Sequence, residues 1–421
     1  MRRFLWLATL ALILSACAVG TSPPAMEEGS PTPKPTGADE PTPSRPVVED
    51  LLSGARSEFE TDFTMHSVPF SEISTVLAKD RIPAIDDPTF VGVDQADDWL
   101  ASEEPVLMLE MGGEARAYPI QILMYHEIVN DVVDNTPVAA TYCPLCNTGI
   151  VFERVVDGEV LDFGTTGRLR FSNLVMYDRQ TESWWQQASG EAIAGTLTGE
   201  QLTILPSTMI AWGDFKAKHL EGQVLSRETG YQRDYGSNPY VGYDDPSSSP
   251  FLYNGPQTAD ELPQTARVLG VELNGEAVAY PYERLEDVRM ANDTVGGVPV
   301  VVLWGPGTAS ALDSARIAEG DDVGAATAFS RELDGRALTF AFADDRITDL
   351  ETGSGWNSLG EAVAGPLQGR QLEPVVSVNH FWFCWAAFQP ETRVYQPDAS
   401  SADFEQTTDR AKKLMDVSAD S

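Results

Sequence analysis

Cys143-Pro144-Leu145-Cys146 places two thiols close enough in sequence to act on one point. Paired thiolates bind Zn(II) or Cu(I), or cycle through a reversible disulfide. Where such a pair opens a helix, the helix N-terminus depresses the pKa of the first thiol. Here Asn147-Thr148-Gly149 leads instead into the apolar run Ile150-Val151-Phe152. Strand, Cys-Pro-x-Cys, polar turn and strand is the outline of a metal knuckle whose turn amides can point at the sulfurs. A structural zinc site needs more than two ligands, and the chain has four histidines: His66, His126, His219 and His380. His126, 17 residues before Cys143, is the best third ligand for zinc or copper. Tyr125 and Glu127 flank it and could orient it or contribute oxygen. Three ligands would leave one position open, as in catalytic or metal-transfer sites. The alternative for His126 is a buried histidine capping the Asn130-Asp131 turn.

Internal similarity supports that choice. Val106 to Pro137 realigns on Val268 to Pro299 at a constant offset of 162 residues. Residues needed only for folding should persist in both copies, whereas a site needed once can decay in one. Cys143-Pro144-Leu145-Cys146 faces Gly305-Pro306-Gly307-Thr308, and His126 faces Val288. Asn130-Asp131 and Asn292-Asp293 match, which marks them as scaffold. Further on, Gly190 to Gly195 pairs with Gly360 to Gly365 at an offset of 170, and Asp157-Gly158 and Asp334-Gly335 both read as hairpin turns. Trp212 and Phe215 align with Trp385 and Phe388 as core. Two related modules about a pseudo-two-fold axis are the simplest architecture.

The elements that must position these residues read as strand-rich. Pro105 to Met111, Pro137 to Tyr142, Gly149 to Val155 and Val160 to Phe163 are predicted strands. Helices are expected at Ile120 to Ile128, Thr208 to His219 and Asn379 to Phe388. The fold class is α+β with mostly antiparallel sheets and a few short helices.

The ends and the charge set the compartment. Arg2-Arg3, the apolar run Phe4 to Leu14 and Leu14-Ser15-Ala16-Cys17 have the pattern of a lipoprotein signal, with residues 1–16 cleaved and Cys17 lipidated. The Pro-, Thr- and Ser-rich segment to residue 50 reads as a disordered stalk. A first module at 51–246, a linker at 247–265, a second, degenerate module at 266–398 and a polar tail at 399–421 follow. The protein is therefore expected outside the cytoplasm, held to the membrane by its lipid. A net charge of −36 repels nucleic acid, which excludes it as a partner. A protein or small-molecule partner stays open.

Several of these stretches also carry a family likeness. Asp80-Arg-Ile-Pro-Ala-Ile-Asp-Asp-Pro88, Ala117-Tyr-Pro119, His126-Glu-Ile-Val-Asn-Asp131, Tyr142-Cys-Pro-Leu-Cys146, Leu174 to Ser183 and Gly230-Tyr-Gln-Arg-Asp-Tyr235 cover most of residues 60 to 245. On these stretches the chain resembles bacterial and archaeal proteins bearing the domain of unknown function 3179. The resemblance implies no activity, and function must come from the site. Cys384 departs from the small apolar residue expected within Phe-Trp-Phe-x-Trp.

Two further clusters bear on ligands. Tyr177-Asp178-Arg179, and Arg227 with Tyr231, Arg233, Asp234 and Tyr235, would either fix an anionic group or tie loops together. His380 and Cys384 stand four apart, one face of a helix, where they would either complete a metal site or pack as core. His66 and His219 are expected at the surface. No Gly-rich phosphate loop, nucleophile elbow or His-Glu-x-x-His signature occurs. Three readings follow: a zinc or copper site on Cys143, Cys146 and His126; a thiol-disulfide oxidoreductase using the same cysteines; or a binding module stapled by a structural disulfide.

Overall fold

The computed structural model describes residues 45–258 and 261–397, which lie within one compact unit. Cys17, the signal segment and the tail at 399–421 lie outside the described residues. Helix α1, Arg45–Glu58, occupies the last residues of the expected stalk. Leu51 and Ala55, four apart, bury together beside Phe59, which is what recruits this end of the stalk into the body.

Strands β1 (Pro105–Met111) and β2 (Glu114–Pro119) form a hairpin whose turn, Gly112-Gly113, uses positive φ at both residues. Pro119 then caps α2 (Ile120–His126), whose mostly apolar side chains are buried. The helix stops at Glu127, in left-handed conformation with φ +59, where the Glu127 amide closes on the Leu123 carbonyl at 2.7 Å. Strands β3 (Ile128–Val133), β4 (Thr136–Cys143) and β5 (Thr148–Glu153) follow as an antiparallel sheet. Beyond it, β6 (Phe163–Arg170), β7 (Asn173–Asp178) and β8 (Trp184–Gln186) build a second antiparallel sheet. Strand β9 (Ser207–Ala211) returns to pair with β1 and leads into α3 (Trp212–Lys218).

The same element order recurs downstream. Strands β10 (Arg267–Leu273) and β11 (Glu276–Pro281), helix α4 (Tyr282–Val288), and strands β12 (Met290–Val295), β13 (Val298–Gly305) and β14 (Ala325–Ser330) repeat β1 to β5. Strand β15 (Ser377–Phe381) pairs with β10 and opens into α5 (Trp382–Phe388). The matched residues make matched bonds. Asn130 exchanges both amide bonds with the Phe163 backbone, and Asn292 does the same with Phe340. Asp131 accepts from the Tyr118 hydroxyl at 2.7 Å, and Asp293 from Tyr280 at 2.7 Å. Asp157-Gly158 and Asp334-Gly335 are both left-handed hairpin turns.

Three expectations are corrected. Thr208 to His219 and Asn379 to Phe388 are not single helices: each is a buried strand, then a helix that starts at Trp212 or Trp382. A strand buried on both faces loses its alternation and cannot be told from a buried helix by periodicity. Element positions also match Trp212 to Trp382, not to Trp385; the three-residue slip is one helical turn, which preserves apolar spacing. Finally, Val160 to Phe163 is interrupted, because Arg154 draws the Leu161 carbonyl and the Asp162 carboxylate onto its guanidinium at 2.9 and 2.7 Å.

The halves interlock reciprocally. Strand β9 packs against β14, and β15 against β5. One seam holds Thr208 and Thr327 hydroxyls 2.8 Å apart, and the other Thr148 Oγ1 and His380 Nδ1 at 2.8 Å. One hydrophobic core therefore includes Cys143 and Cys146 together with Phe381, Phe383 and Cys384.

Candidate functional site

Cys143 ends β4, and Pro144–Cys146 makes a single 3-10 turn stopped by Asn147 at φ +49. Cys143 is 1 % exposed and Cys146 fully buried, both as free thiols. Burial pushes the Cys143 thiol up, but the Cys146 thiol and the amides of Leu174, Cys146 and Leu145, all directed at its sulfur, win and leave it below the ordinary cysteine value. These amides approach without closing a regular capping hydrogen bond. Cys146 goes the other way. Burial, its bond to Cys143 and the neighbouring Cys384 thiol raise it well above the usual range, and it faces the Ser172 carbonyl at 3.4 Å. The pair is asymmetric: its surroundings pull the Cys143 thiol below the ordinary cysteine value and push the Cys146 thiol above it.

Glu127 stands beside this pair. Its backbone carbonyl accepts from the Tyr142 amide at 2.8 Å, which anchors the residue next to Cys143. The downstream half keeps that bond between Trp304 and Arg289 but reverses the charge. Burial raises the Glu127 carboxyl well above its usual range, and Cys143 adds to the shift. The side chain, 9 % exposed, makes no hydrogen bond among the described residues. It borders a cavity of about 290 Å³ walled by Ile82, Leu145, Leu169 and Leu174. Tyr240 and Tyr243 close the same cavity, with both hydroxyls raised above the tyrosine range by burial.

The sequence model of one family, a protein of unknown function (DUF3179), matches residues 79–392. The chain belongs to the DUF3179 family. The match spans both halves of this DUF3179 protein, further than the stretch that carried the resemblance. No curated protein and no solved structure matches the chain.

The remaining sequence candidates divide between two places. His126, expected as a metal ligand, points away from cavity and thiols: its Nδ1 lies 2.8 Å from the Pro83 carbonyl and its Nε2 2.7 Å from the Tyr235 hydroxyl. With the proton on Nδ1, Nε2 accepts from Tyr235, whose oxygen also meets Thr229 at 2.6 Å. Burial lowers the His126 pKa, partly offset by Pro83 and reinforced by Arg233. Tyr125 donates to the Ser237 carbonyl at 3.1 Å. Tyr231 and Arg233 lie exposed beside this cluster. Arg227 is held by Gln121 and the Trp99 carbonyl, over the Trp99 ring.

Tyr177-Asp178-Arg179 makes the contacts of the second of its two expected roles, tying loops together. Tyr177 donates to Asp80 at 2.5 Å, and Arg179 pairs with Asp86 at 2.5 Å, fixing the loop between them. Asp178 accepts from Thr181 and from Trp185 Nε1, and Asp349 repeats both bonds with Thr352 and Trp356. The shared Asp-x-x-Thr-x-Ser spacing was legible in the sequence but hidden by the shifted offset. His380 and Cys384 are not on one helix; His380 is in β15, and Cys384 in α5 reaches Cys146. His219 is only 13 % exposed, against Glu110.

Tyr240, Tyr243 and the Leu174 amide were missed. Nothing in the segment 238–245 distinguishes it from a surface loop until it folds over the thiols. Among the described residues, no group of three or more His, Cys, Asp and Glu is arranged to hold a metal ion. Cys146 lies within reach of both other thiols, yet the three do not surround one point. No described helix is long and apolar enough to cross a membrane.

Proposed function

We propose that Cys143 and Cys146 are a redox-active dithiol, making this a thiol-disulfide oxidoreductase. The carrying observation is the setting of the pair: two neighbouring buried free thiols, one pulled below the ordinary cysteine value by the other thiol and by backbone amides, the other pushed above it by burial. In oxidation, the Cys143 thiolate attacks one sulfur of a substrate disulfide and releases the other as thiolate. Cys146 then gives up its proton and attacks Cys143 Sγ, expelling the second substrate thiolate. Two electrons pass to the substrate and one intramolecular disulfide forms. The experiment is equilibration in glutathione buffers followed by alkylation and intact-mass analysis. A two-electron transition confined to Cys143 and Cys146, with Cys146→Ser accumulating a glutathione adduct on Cys143, supports the reading. Thiols that stay reduced and unmodified throughout contradict it.

The approach of Cys384 to Cys146 favours a second reading, a soft ion such as zinc or copper on the thiols, with His126 released from Tyr235 as a further ligand. Elemental analysis of chelator-free protein beside Cys143→Ser/Cys146→Ser decides it: stoichiometric metal lost in the variant is required. For location, the Leu14-Ser15-Ala16-Cys17 pattern supports a lipid-anchored extracytoplasmic protein whose partner includes the membrane itself. Metabolic labelling with a fatty acid, lost in Cys17→Ala, is the expected result.

A further inference from the structure

In a chain with 28 basic against 64 acidic residues, cations should be held by carboxylates, yet two arginines from different halves meet each other instead. Gly236, at φ +92, presents its bare Cα to both: a Cβ there would stand 3.6 Å from Arg227 Nη2 and 3.9 Å from Arg316 Nη2. Backbone bonds fix the meeting. The Ile317 amide donates to the Gly236 carbonyl and the Asn238 amide to the Ala315 carbonyl, both at 3.0 Å, which zips the Gly236 and Arg316 loops together. Arg227 makes no ion pair among the described residues. Its Nε donates to Gln121 Oε1 at 2.9 Å and its Nη2 to the Trp99 carbonyl at 3.2 Å, while Gln121 in turn donates to the buried Glu104, so the counter-charge is one residue removed. Its Nη1 has no acceptor among the described residues. Arg316 Nη1 bonds Ser237 Oγ at 2.8 Å and has for a counter-ion Asp234, 3.6 Å away and 77 % exposed; its Nε and Nη2 are without acceptors among the described residues. The two guanidiniums flank an open cleft of about 420 Å³. Of its carboxylates, Asp97 is engaged by Lys216 and Trp212, and Glu104 by Gln121 and the Ala101 amide, which leaves the exposed Asp98.

We propose that Arg227 and Arg316 bind the phosphate group of a small soluble molecule over Gly236. Gln121 occupies the Nε and Nη2 edge of Arg227, so a planar carboxylate cannot take a two-pronged grip from both arginines. A tetrahedral oxyanion can accept one N–H from Arg227 Nη1 and two from Arg316 on diverging oxygens. The anion would also relieve the mutual repulsion of the pair, in which Arg316 works against the Arg227 charge. Leu100, Ala101 and Ala318 in the same cleft offer surface to the rest of the ligand. The net charge of −36 repels an anionic bilayer, which favours a soluble phosphate over a lipid headgroup. Screening over about 8–10 Å leaves the two nearby cations to decide the local binding. The site stands independently of the dithiol.

The probe is inorganic phosphate, titrated at constant ionic strength into the chain lacking residues 1–17 and followed by phosphorus NMR line broadening. Binding should saturate, and acetate should bind at least about fivefold more weakly, the yield of the lost charge-assisted bonds. Arg316→Gln, at a half-exposed position that the fold does not need, should weaken phosphate at least about fivefold, and Arg227→Gln should do the same. Asp234→Asn removes the carboxylate that competes for Arg316 and should tighten binding about twofold or more, which a merely structural ion pair would not do. Arg370→Gln takes the same charge from an exposed residue outside the cleft and should change affinity less than about twofold. No saturable binding, acetate as tight as phosphate, indifference to Arg316→Gln, or an equal loss in Arg370→Gln overturns the proposal. Binding seen only with phosphatidylglycerol vesicles overturns the soluble ligand.

Discussion

Cys143 carries an ordinary thiol in an unusual setting, and its reactivity is where that setting becomes measurable. Because amides and the Cys146 thiol hold its pKa down, its alkylation rate should plateau at a lower pH than a free cysteine's, whose pKa is about 8.5. Cys146→Ala should move that midpoint upward by removing the thiol donor, as rate profiles with iodoacetamide will show. A midpoint at the free-cysteine value would mean the amides do not reach the sulfur. Glu127 makes an opposite prediction about stability. Its folded pKa is raised, so its favourable share is complete below the unfolded carboxyl range, about pH 4, and is lost as pH rises through the folded value. Glu127→Gln, which cannot ionise, should melt higher than the parent at pH 8 and differ least near pH 4. The cysteines and Glu127 were visible in the sequence, but the partner of Glu127 was not: Glu127 leaves the helix in left-handed conformation, which turns it away from His126 and toward Cys143.

At the level of elements, the paired asparagines test how the hairpin sheets are tied to the strands beyond them. Asn130→Ala leaves the buried Phe163 N–H and C=O unpaired and should cost about 2–4 kcal/mol in urea unfolding. Asn292→Ala, in a more open position, should cost less. Helix α2 and the hairpin turns at Asp157-Gly158 and Asp334-Gly335 could be read from apolar spacing and turn residues because their signals are local. The strand-helix junctions at Trp212 and Trp382 could not, since both strands are buried on each face and their pattern carries no period. His380 sits on one such strand. Burial lowers its pKa to about 3 from 6.5, so the folded chain resists its protonation. The stability that follows is present above pH 6.5 and is lost as pH falls from there toward 3. His380→Gln should flatten the acid limb of the thermal melting curve, and an unchanged limb would place the acid sensitivity elsewhere.

For the molecule as a whole, the two halves share a core, which changes what the internal similarity means. Sequence comparison left open two beads on a linker, because contacts between distant segments leave no local trace. In the fold, β15 of the downstream half lies on β5 beside Cys146, and Cys384 of α5 touches it. A chain ended at residue 258 should therefore fail to fold cooperatively, exposing the apolar surface that Phe381 and Phe383 cover. A sharp two-state transition from that fragment would show the halves to be independent. The dithiol, its carboxyl neighbour and the cavity depend on this shared core, and their chemistry is decided most directly at the sulfurs. The measurement is the oxidation state of Cys143 and Cys146 across a glutathione redox series, read by alkylation and intact mass. A reversible two-electron transition lost in either single Cys→Ser variant is the predicted result. Thiols that remain free across the whole series would contradict the account.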